Sequence, residues 1–387
     1  MLYKIAEYSK FLLPICFFGY AAVANVGLLF QLSDKTSDLK LADLSFMKGE
    51  IAGALNDFYK SNLLHREPSI DIVGAARYLT LDTGRDGIVV GNDGWFFTKE
   101  EFETNLDADQ SMQFTLEKIV EFKREFEDRD MQLVVVPLPA KSDIYTEHLS
   151  AFQQASAVSK RYFQFIEGLR VYGVPAITSR DVLLQNKDQD LVFLKSDTHW
   201  TPFGAGKVAR EIAMSLPLED YGVEKSVFEL SKAGETSFWG DLTTYITSES
   251  LAPYVGLDKE HTDLYVAEND GEELVSDLFG DDTQYDVVLI GTSYSANENW
   301  SFVEQLKVEL SSDVLNLSEE GKGPVTPMLN YINGDLIDEY ETKLVVWEFP
   351  VRYIGQDILW AEFKNREVGD DELADLSMLE RLEQHDG

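Results

Sequence analysis

Two short stretches, Ser196-Asp197-Thr198-His199-Trp200-Thr201 and Gly291-Thr292-Ser293-Tyr294-Ser295-Ala296, hold the three residue types that nucleophilic acyl chemistry needs. An acid orients a base, the base takes a proton from a hydroxyl, and the freed oxygen attacks an acyl carbon. Asp197 and His199 are two residues apart, and in extended backbone positions i and i+2 face the same side. The spacing therefore predicts a carboxylate and an imidazole serving one site. Asp197 would fix the Nδ1 tautomer, and His199 would accept the proton of Ser293. Among His65, His148, His199, His261 and His385, only His199 combines a carboxylate two residues before it with a helix start, Thr201-Pro202-Phe203-Gly204, directly after it.

The choice of serine follows from the local pattern. Tyr285-Asp286-Val287-Val288-Leu289-Ile290 reads as a buried parallel strand ending at Gly291, and a helix is expected from near Asn297. Ser293 then sits on a strand-to-helix turn, where unpaired N–H groups can stabilise an oxyanion. Ser295-Ala296-Asn297-Glu298 matches a capping box, in which the serine bonds the third N–H of the helix and the glutamate returns to the cap. That pattern gives Ser295 a structural task and leaves Ser293 as the expected nucleophile. The spacing departs from GxSxG, since Ser295 stands where the second glycine would be, and a tight turn of small residues explains the segment taken alone. Pairing with Asp197 and His199 is what favours chemistry.

At these residues the chain resembles the AlgJ/AlgX type of SGNH-like polysaccharide O-acetyltransferases, which modify alginate in the bacterial periplasm. The resemblance rests on the Asp197-Thr198-His199-Trp200-Thr201 box and on Gly291-Thr292-Ser293-Tyr294-Ser295 with Asn299-Trp300 and Phe302 following. Pro137-Leu138-Pro139-Ala140-Lys141 and Val346-Trp347-Glu348-Phe349-Pro350 extend it, so that it spans residues 80 to 355. Membership implies a triad of Asp197, His199 and Ser293, an acyl-serine intermediate, and acetyl groups supplied by a membrane-bound acyltransferase. It also implies an extracytoplasmic polysaccharide acceptor, with alginate the first expectation. The implied fold is α/β and SGNH-hydrolase-like, a parallel sheet with flanking helices. Two departures from common SGNH hydrolases, a His two rather than three residues after the Asp and a Ser last in the chain, suit a circularly permuted version of that fold. Two other readings stay open: an esterase using the same triad, and a non-catalytic polysaccharide-binding component of an export complex.

The elements that must carry these residues show an α/β rhythm. Gly87 to Phe97 reads as a hairpin across Asn92-Asp93-Gly94. Met112, Leu116, Ile119, Phe122 and Phe126 recur every three or four residues, predicting a helix that leads into a strand at Leu133-Val134-Val135-Val136-Pro137. A second helix at Val158 to Tyr172 precedes strands at Val174 to Ile177 and Leu191 to Leu194; later strands are expected at Asp313 to Leu317 and Lys343 to Trp347, around a helix at Thr326 to Ile332. Alternation of this kind predicts a parallel sheet with its site at strand C-terminal ends. Residues 218–284, acidic and rich in Gly, Ser, Thr and Tyr, read as an insertion or lid within a catalytic domain spanning 36–360, and 361–387 as an acidic tail.

Composition bounds the partners. The chain has 387 residues and carries 33 basic against 69 acidic residues, a net charge of −36, which disfavours nucleic acid. An anionic polymer would need local attraction, from residues such as Lys141, Lys195 or Arg352. Lys4 and Lys10 precede the uncharged run Phe11 to Phe30, long enough to span a bilayer and oriented to place the C-terminal bulk outside. Residues 1–35 thus predict a periplasmic protein held at the inner membrane, with Ala22-Val23-Ala24 as the competing signal-peptide cleavage site. The only cysteine, Cys16, lies inside that run, so the exported part has no disulfide. A helix is also expected at Leu41 to Asn62.

Four further residues are candidates to bind substrate. Lys141 and Arg352 lie just past strand ends and could meet an acceptor carboxylate, with a solvated cation as the plain alternative. Tyr294 and Trp300 could offer aromatic surface to a sugar ring, against the alternative that they are core. Gly321-Lys322-Gly323 could complete an oxyanion hole or simply turn the chain before Pro324, and Gly240-Asp241-Leu242 could approach the site or simply turn. No metal-binding or nucleotide-binding pattern occurs, so no cofactor is expected.

Overall fold

The computed structural model describes residues 66–103, 108–149, 155–269 and 284–356, with residue 359 and, before residue 66, residues 14–23, 25–26, 53, 56, 58–60 and 63. The chain divides into two compact units, Met1–Leu81 and Asp82–Gly387. In the first, residues 14–23 are helical and a longer helix α1 spans Arg66–Leu81. The rest of the expected membrane span, most of the expected helix at Leu41 to Asn62 and the tail 361–387 lie outside the described residues. Among those described, no helix is long and apolar enough to cross a membrane.

The second unit opens with the antiparallel hairpin β1 (Ile88–Val90) and β2 (Phe96–Thr98), as the turn residues predict. There follow α2 (Ala108–Glu127), β3 (Gln132–Leu138), α3 (Ala155–Val171), α4 (Ser179–Asn186) and α5 (Pro202–Ser215). The strands β4 (Phe228–Phe238) and β5 (Glu260–Asn269) come next, then β6 (Val287–Ile290), α6 (Phe302–Leu310), β7 (Val314–Asn316), α7 (Val325–Ile332) and β8 (Leu344–Pro350). Four strands form one parallel sheet in the order β3-β8-β6-β7.

Successive residues of these strands feed two different cores. Val134, Val136, Val287, Leu289, Leu344 and Val346 pack beneath α4, α5 and α6. Leu133, Val135, Val288, Ile290, Val345 and Trp347 face α2, α3 and α7. A sheet covered on both sides needs apolar residues at every position, which is why the strands read as continuous runs rather than alternations. All seven residues of β8 are buried, Glu348 included.

Two expected strands are absent from the sheet. Val174 to Ile177 contributes a single bridge between Ala176 and Val135, and Leu191 to Leu194 leads into a loop closed on itself by one bridge, Phe193 to Trp200. Within segment 218–284, β4 and β5 pair only with each other, as an antiparallel ribbon separate from the main sheet; residues 270–283 lie outside the described residues. The ribbon lies along α6, where Tyr265 N–H reaches Ser301 Oγ at 3.0 Å and Ala267 N–H reaches Glu304 Oε2 at 2.8 Å.

Candidate active site

Asp197 and His199 meet by a different route from the extended backbone expected of them. Loop 192–201 closes when Thr201 N–H bonds Val192 O and Leu194 N–H bonds His199 O, both at 3.1 Å. Within it, Asp197 Oδ1 accepts the His199 backbone N–H at 2.9 Å and lies 2.7 Å from His199 Nδ1. This is an Asx turn, in which a short carboxylate folds back on the residue two places on. Thr201 then caps α5, its Oγ1 accepting Gly204 N–H at 3.1 Å, so the helix start anchors the loop.

The serine segment is a single helical turn, Ser293–Ala296, directly after β6. Thr292 is its N-cap, and Asn297 caps the next turn by accepting Asn299 N–H at 2.9 Å. The expected capping box at Ser295 is therefore not formed. Ser295 lies inside the turn, donating its hydroxyl to Glu348 at 3.2 Å and lending its carbonyl to Asn316 Nδ2 at 3.0 Å. Its task is structural, as expected, but through different atoms. Two indoles pin the same turn: Trp300 Nε1 donates to Ser293 O at 3.1 Å and Trp200 Nε1 to Tyr294 O at 3.0 Å.

Across 94 residues of sequence, Ser293 Oγ lies 2.7 Å from His199 Nε2. Ser293, His199 and Asp197 thus form one continuous hydrogen-bonded row, with the hydroxyl and imidazole half-buried and the carboxylate buried. Burial opposes the charge of Asp197, but the hydrogen bond and charge of His199, with the N–H groups of Asp241 and His199, hold its pKa below the usual value. The arrangement can deprotonate a serine and hold the resulting imidazolium against a fixed negative charge. A model of the SGNH hydrolase-like domain of the acetyltransferase AlgX matches residues 88–351.

The chain belongs to this family. The probable alginate O-acetylase AlgJ of Pseudomonas putida is 33% identical over 345 residues, 86% of this chain and 89% of that protein. The AlgJ of Pseudomonas aeruginosa is 32% identical, covering 81% and 82% respectively. Among solved structures, the O-acetyltransferase domain of Pseudomonas putida AlgJ superposes with a TM-score of 0.63 at 33% identity, over 70% of this chain and 93% of that one. Pseudomonas aeruginosa AlgX gives a TM-score of 0.54 at 25% identity, over 70% of this chain and 64% of that one. The fold of this AlgX-family chain is accordingly SGNH-hydrolase-like.

The four candidate substrate-binding residues of this family member all turn inward. Lys141 is fully buried, and its ammonium donates to the carbonyls of Leu194, Lys195 and Asp197. Its three protons are spent, leaving none for an acceptor carboxylate. Arg352 is buried, bonding Tyr294 OH at 2.9 Å and facing Glu100 at 3.3 Å. Tyr294 in turn donates to Thr198 O at 2.8 Å, which ties the serine turn to the Asp-His loop. Trp300 is buried and stacks on His199 at 5.0 Å. Gly321 and Gly323 have positive φ, 70° and 66°, so the backbone of a turn accounts for the glycine pair.

Three acidic residues complete the site: Asp241, from the Gly240-Asp241-Leu242 segment expected either to approach it or to turn, and Glu260 and Glu348, to which the sequence reading gave no role. Asp241, from the insertion, gives its N–H to Asp197 Oδ2 at 2.9 Å and accepts Thr198 N–H at 2.8 Å. Its carboxyl pKa is raised, first by lost hydration and then by the charge of Asp197, although the residue as a whole presents surface to solvent. Gly240 makes that approach possible, since a Cβ there would lie 2.2 Å from Ser196 O. Glu260, at the start of β5, accepts the Ser196 N–H and hydroxyl at 2.6 and 2.7 Å. Asp197, His199 and Asp241 are close enough to share a cation, but both ring nitrogens of His199 are already engaged.

Glu348 is the third. It lies beneath the serine turn and accepts Thr292 N–H at 2.7 Å, the Thr292 hydroxyl and the Ser295 hydroxyl; a Cβ on residue 291 would fall 2.5 Å from its Oε2, so only glycine fits there. A signal existed, because a charge inside the apolar run Val345 to Phe349 demands donors. Burial pushes its pKa up to about 7, against the opposing hydrogen bonds of Thr292 and Ser295. A raised carboxyl pKa gives stability that is complete below 4.5 and lost as pH rises through about 7. Glu348→Gln should therefore gain on the wild type by roughly 2–3 kcal/mol between pH 5 and pH 8 in denaturant unfolding. Parallel stability profiles for the two proteins would show that Glu348 does not titrate in that range.

Proposed function

We propose that the protein transfers acetyl groups through an acyl-Ser293 intermediate to hydroxyls of alginate outside the cytoplasm. The observation that carries this is the hydrogen-bonded row Ser293, His199 and Asp197 in a chain of an acetyltransferase family whose relatives are named alginate O-acetylases. His199 Nε2 takes the proton of Ser293 Oγ as that oxygen bonds the acetyl carbon. The imidazolium then protonates the group that leaves the acetyl carbon, leaving acetyl on Ser293. An acceptor hydroxyl gives its proton to His199 and takes the acetyl, which restores the serine. Ser293 N–H, first in its helical turn and without an intrahelical carbonyl to bond, is the donor assigned to the oxyanion.

With Lys141 and Arg352 enclosed, the cations assigned to an acceptor carboxylate are Lys195 and Lys259. Both are exposed, and neither has a carboxylate partner among the described residues. Each directly precedes one member of the Ser196–Glu260 pair, and Lys259 lies over the ring of half-buried Trp239 at 5.8 Å. Transfer prevails over hydrolysis when a bound hydroxyl reaches the acyl carbon before water does. Adding oligomannuronate with a simple acetyl donor should yield acetylated oligosaccharide by mass and speed turnover of the acyl-enzyme. Neutral oligosaccharides should do less, and Lys195→Ala with Lys259→Ala should narrow the difference. If acetylated polymer is stripped while no acceptor gains mass, the protein is an esterase.

The lysines and uncharged run of the first thirty residues support an inner-membrane anchor with the catalytic unit in the periplasm, where a membrane-bound acyltransferase would supply acetyl. Expressed from its own start, the chain should stay in membranes after carbonate washing and be cut by protease added outside. A soluble chain beginning near Asn25 would replace the anchor by a cleaved signal.

A further inference from the structure

One buried side chain reaches three backbone carbonyls of the segment that delivers Asp197 and His199. Lys141 stands on the turn after β3, and its Nζ lies 2.9 Å from Leu194 O, 3.1 Å from Lys195 O and 2.7 Å from Asp197 O. Three donors meet three acceptors, and the acceptors are the backbone on either side of Ser196. The rings of Trp95 and Phe97 lie 5.6 and 5.3 Å from the ammonium, so no solvent replaces a lost contact.

We propose that Lys141 is a positioning residue whose ammonium holds residues 194–197 in the conformation that aims Asp197 and His199 at Ser293, and whose loss of a proton releases that segment and ends activity at alkaline pH. A neutral amine offers two protons to three carbonyls and turns its lone pair on one of them. The proposal rests on the acyl-serine reading of the site.

The surroundings set where that proton is lost. Burial lowers the Lys141 pKa to about 8 from 10.5, opposed by the carboxylates that face it. These are Glu101 from the turn Lys99–Glu101, Asp197 from the held segment, and Asp241 and Glu260 from the insertion. Asp143, on the same turn as Lys141, is occupied by Arg180 at 2.6 Å. Glu101 is itself buried, accepts Ser142 N–H at 2.9 Å, and is faced by Lys141 and Arg352. The sign of the shift separates release from unfolding. A lysine with a depressed pKa adds stability as pH rises from about 8 to 10.5, so activity lost there through Lys141 is not lost through this group destabilising the fold.

The test is kcat against pH for hydrolysis of a chromogenic acetyl ester by the full-length protein in detergent, with thermal unfolding measured at each pH. Wild type should lose activity reversibly with a midpoint near 8 while still unfolding cooperatively. Lys141→Met should be slower by about tenfold to a hundredfold at pH 7.5, as small misplacements of catalytic groups cost, and should show no alkaline decline up to pH 9.5. Glu101→Gln keeps the acceptor for Ser142 N–H but removes a charge that favours the ammonium, so its alkaline midpoint should move down. An unchanged midpoint in Glu101→Gln overturns the proposal even if Lys141→Met does not fold, and so does an alkaline decline retained by a folded Lys141→Met. Activity that survives Ser293→Ala in the same assay would remove the underlying acyl-serine reading instead, whatever the shape of the pH profile.

Discussion

Ser293→Ala should reduce hydrolysis of an acetyl ester by about 10⁴- to 10⁶-fold, the scale of losing the nucleophile from a hydrogen-bonded triad. It should also abolish the acetylated form of the protein seen by mass after exposure to donor. Folding should be unaffected. The Ser293 side chain is half-buried and, among the described residues, its hydroxyl bonds His199, whereas the turn is held through Thr292, Ser295 and the two indoles. A Ser293→Ala protein that still accumulates acetyl at an unchanged rate would move the nucleophile elsewhere, and Ser295, tied to Glu348, would be the first place to look.

Asp197→Asn should lower kcat by on the order of 10⁴-fold with little change in KM, because the loss lies in proton transfer rather than binding. Asp197 accepts from three N–H groups, those of the His199 ring, the His199 backbone and the Asp241 backbone. An amide in its place can turn an NH₂ toward Nδ1, which puts the ring proton on Nε2 and leaves no acceptor for the Ser293 hydroxyl. Asp241→Asn is the informative contrast. Its oxygen can still accept Thr198 N–H, and its own backbone N–H to Asp197 is untouched, so the loss should be far smaller. Equal losses in the two variants would mean that Asp241 takes part in proton transfer itself.

The three reacting residue types, the serine on a turn after a buried strand, and the sheet covered on both faces are all legible in the amino-acid order. These are local signals. The run Val287 to Ile290 reports burial on both sides wherever its neighbours come from, and Thr201-Pro202 announces a helix start because capping chemistry acts within four residues. The chemistry-bearing spacing of Asp197 and His199 was legible for the same reason, although the residues meet through an Asx turn rather than along a strand. Which charged groups face outward is set by packing between distant segments. Lys141 and Arg352 read as possible ligands for substrate because a cation past a strand end is ordinarily solvated, yet each meets acceptors tens of residues away that no local pattern records. Asp241 joined the site because an insertion folds back onto Ser196, and Glu348 because β8 lies beside β6. Side-chain periodicity encodes which face of an element is covered, but the partners of a buried charge are set by how distant segments close on one another, and that closure belongs to the folded chain as a whole.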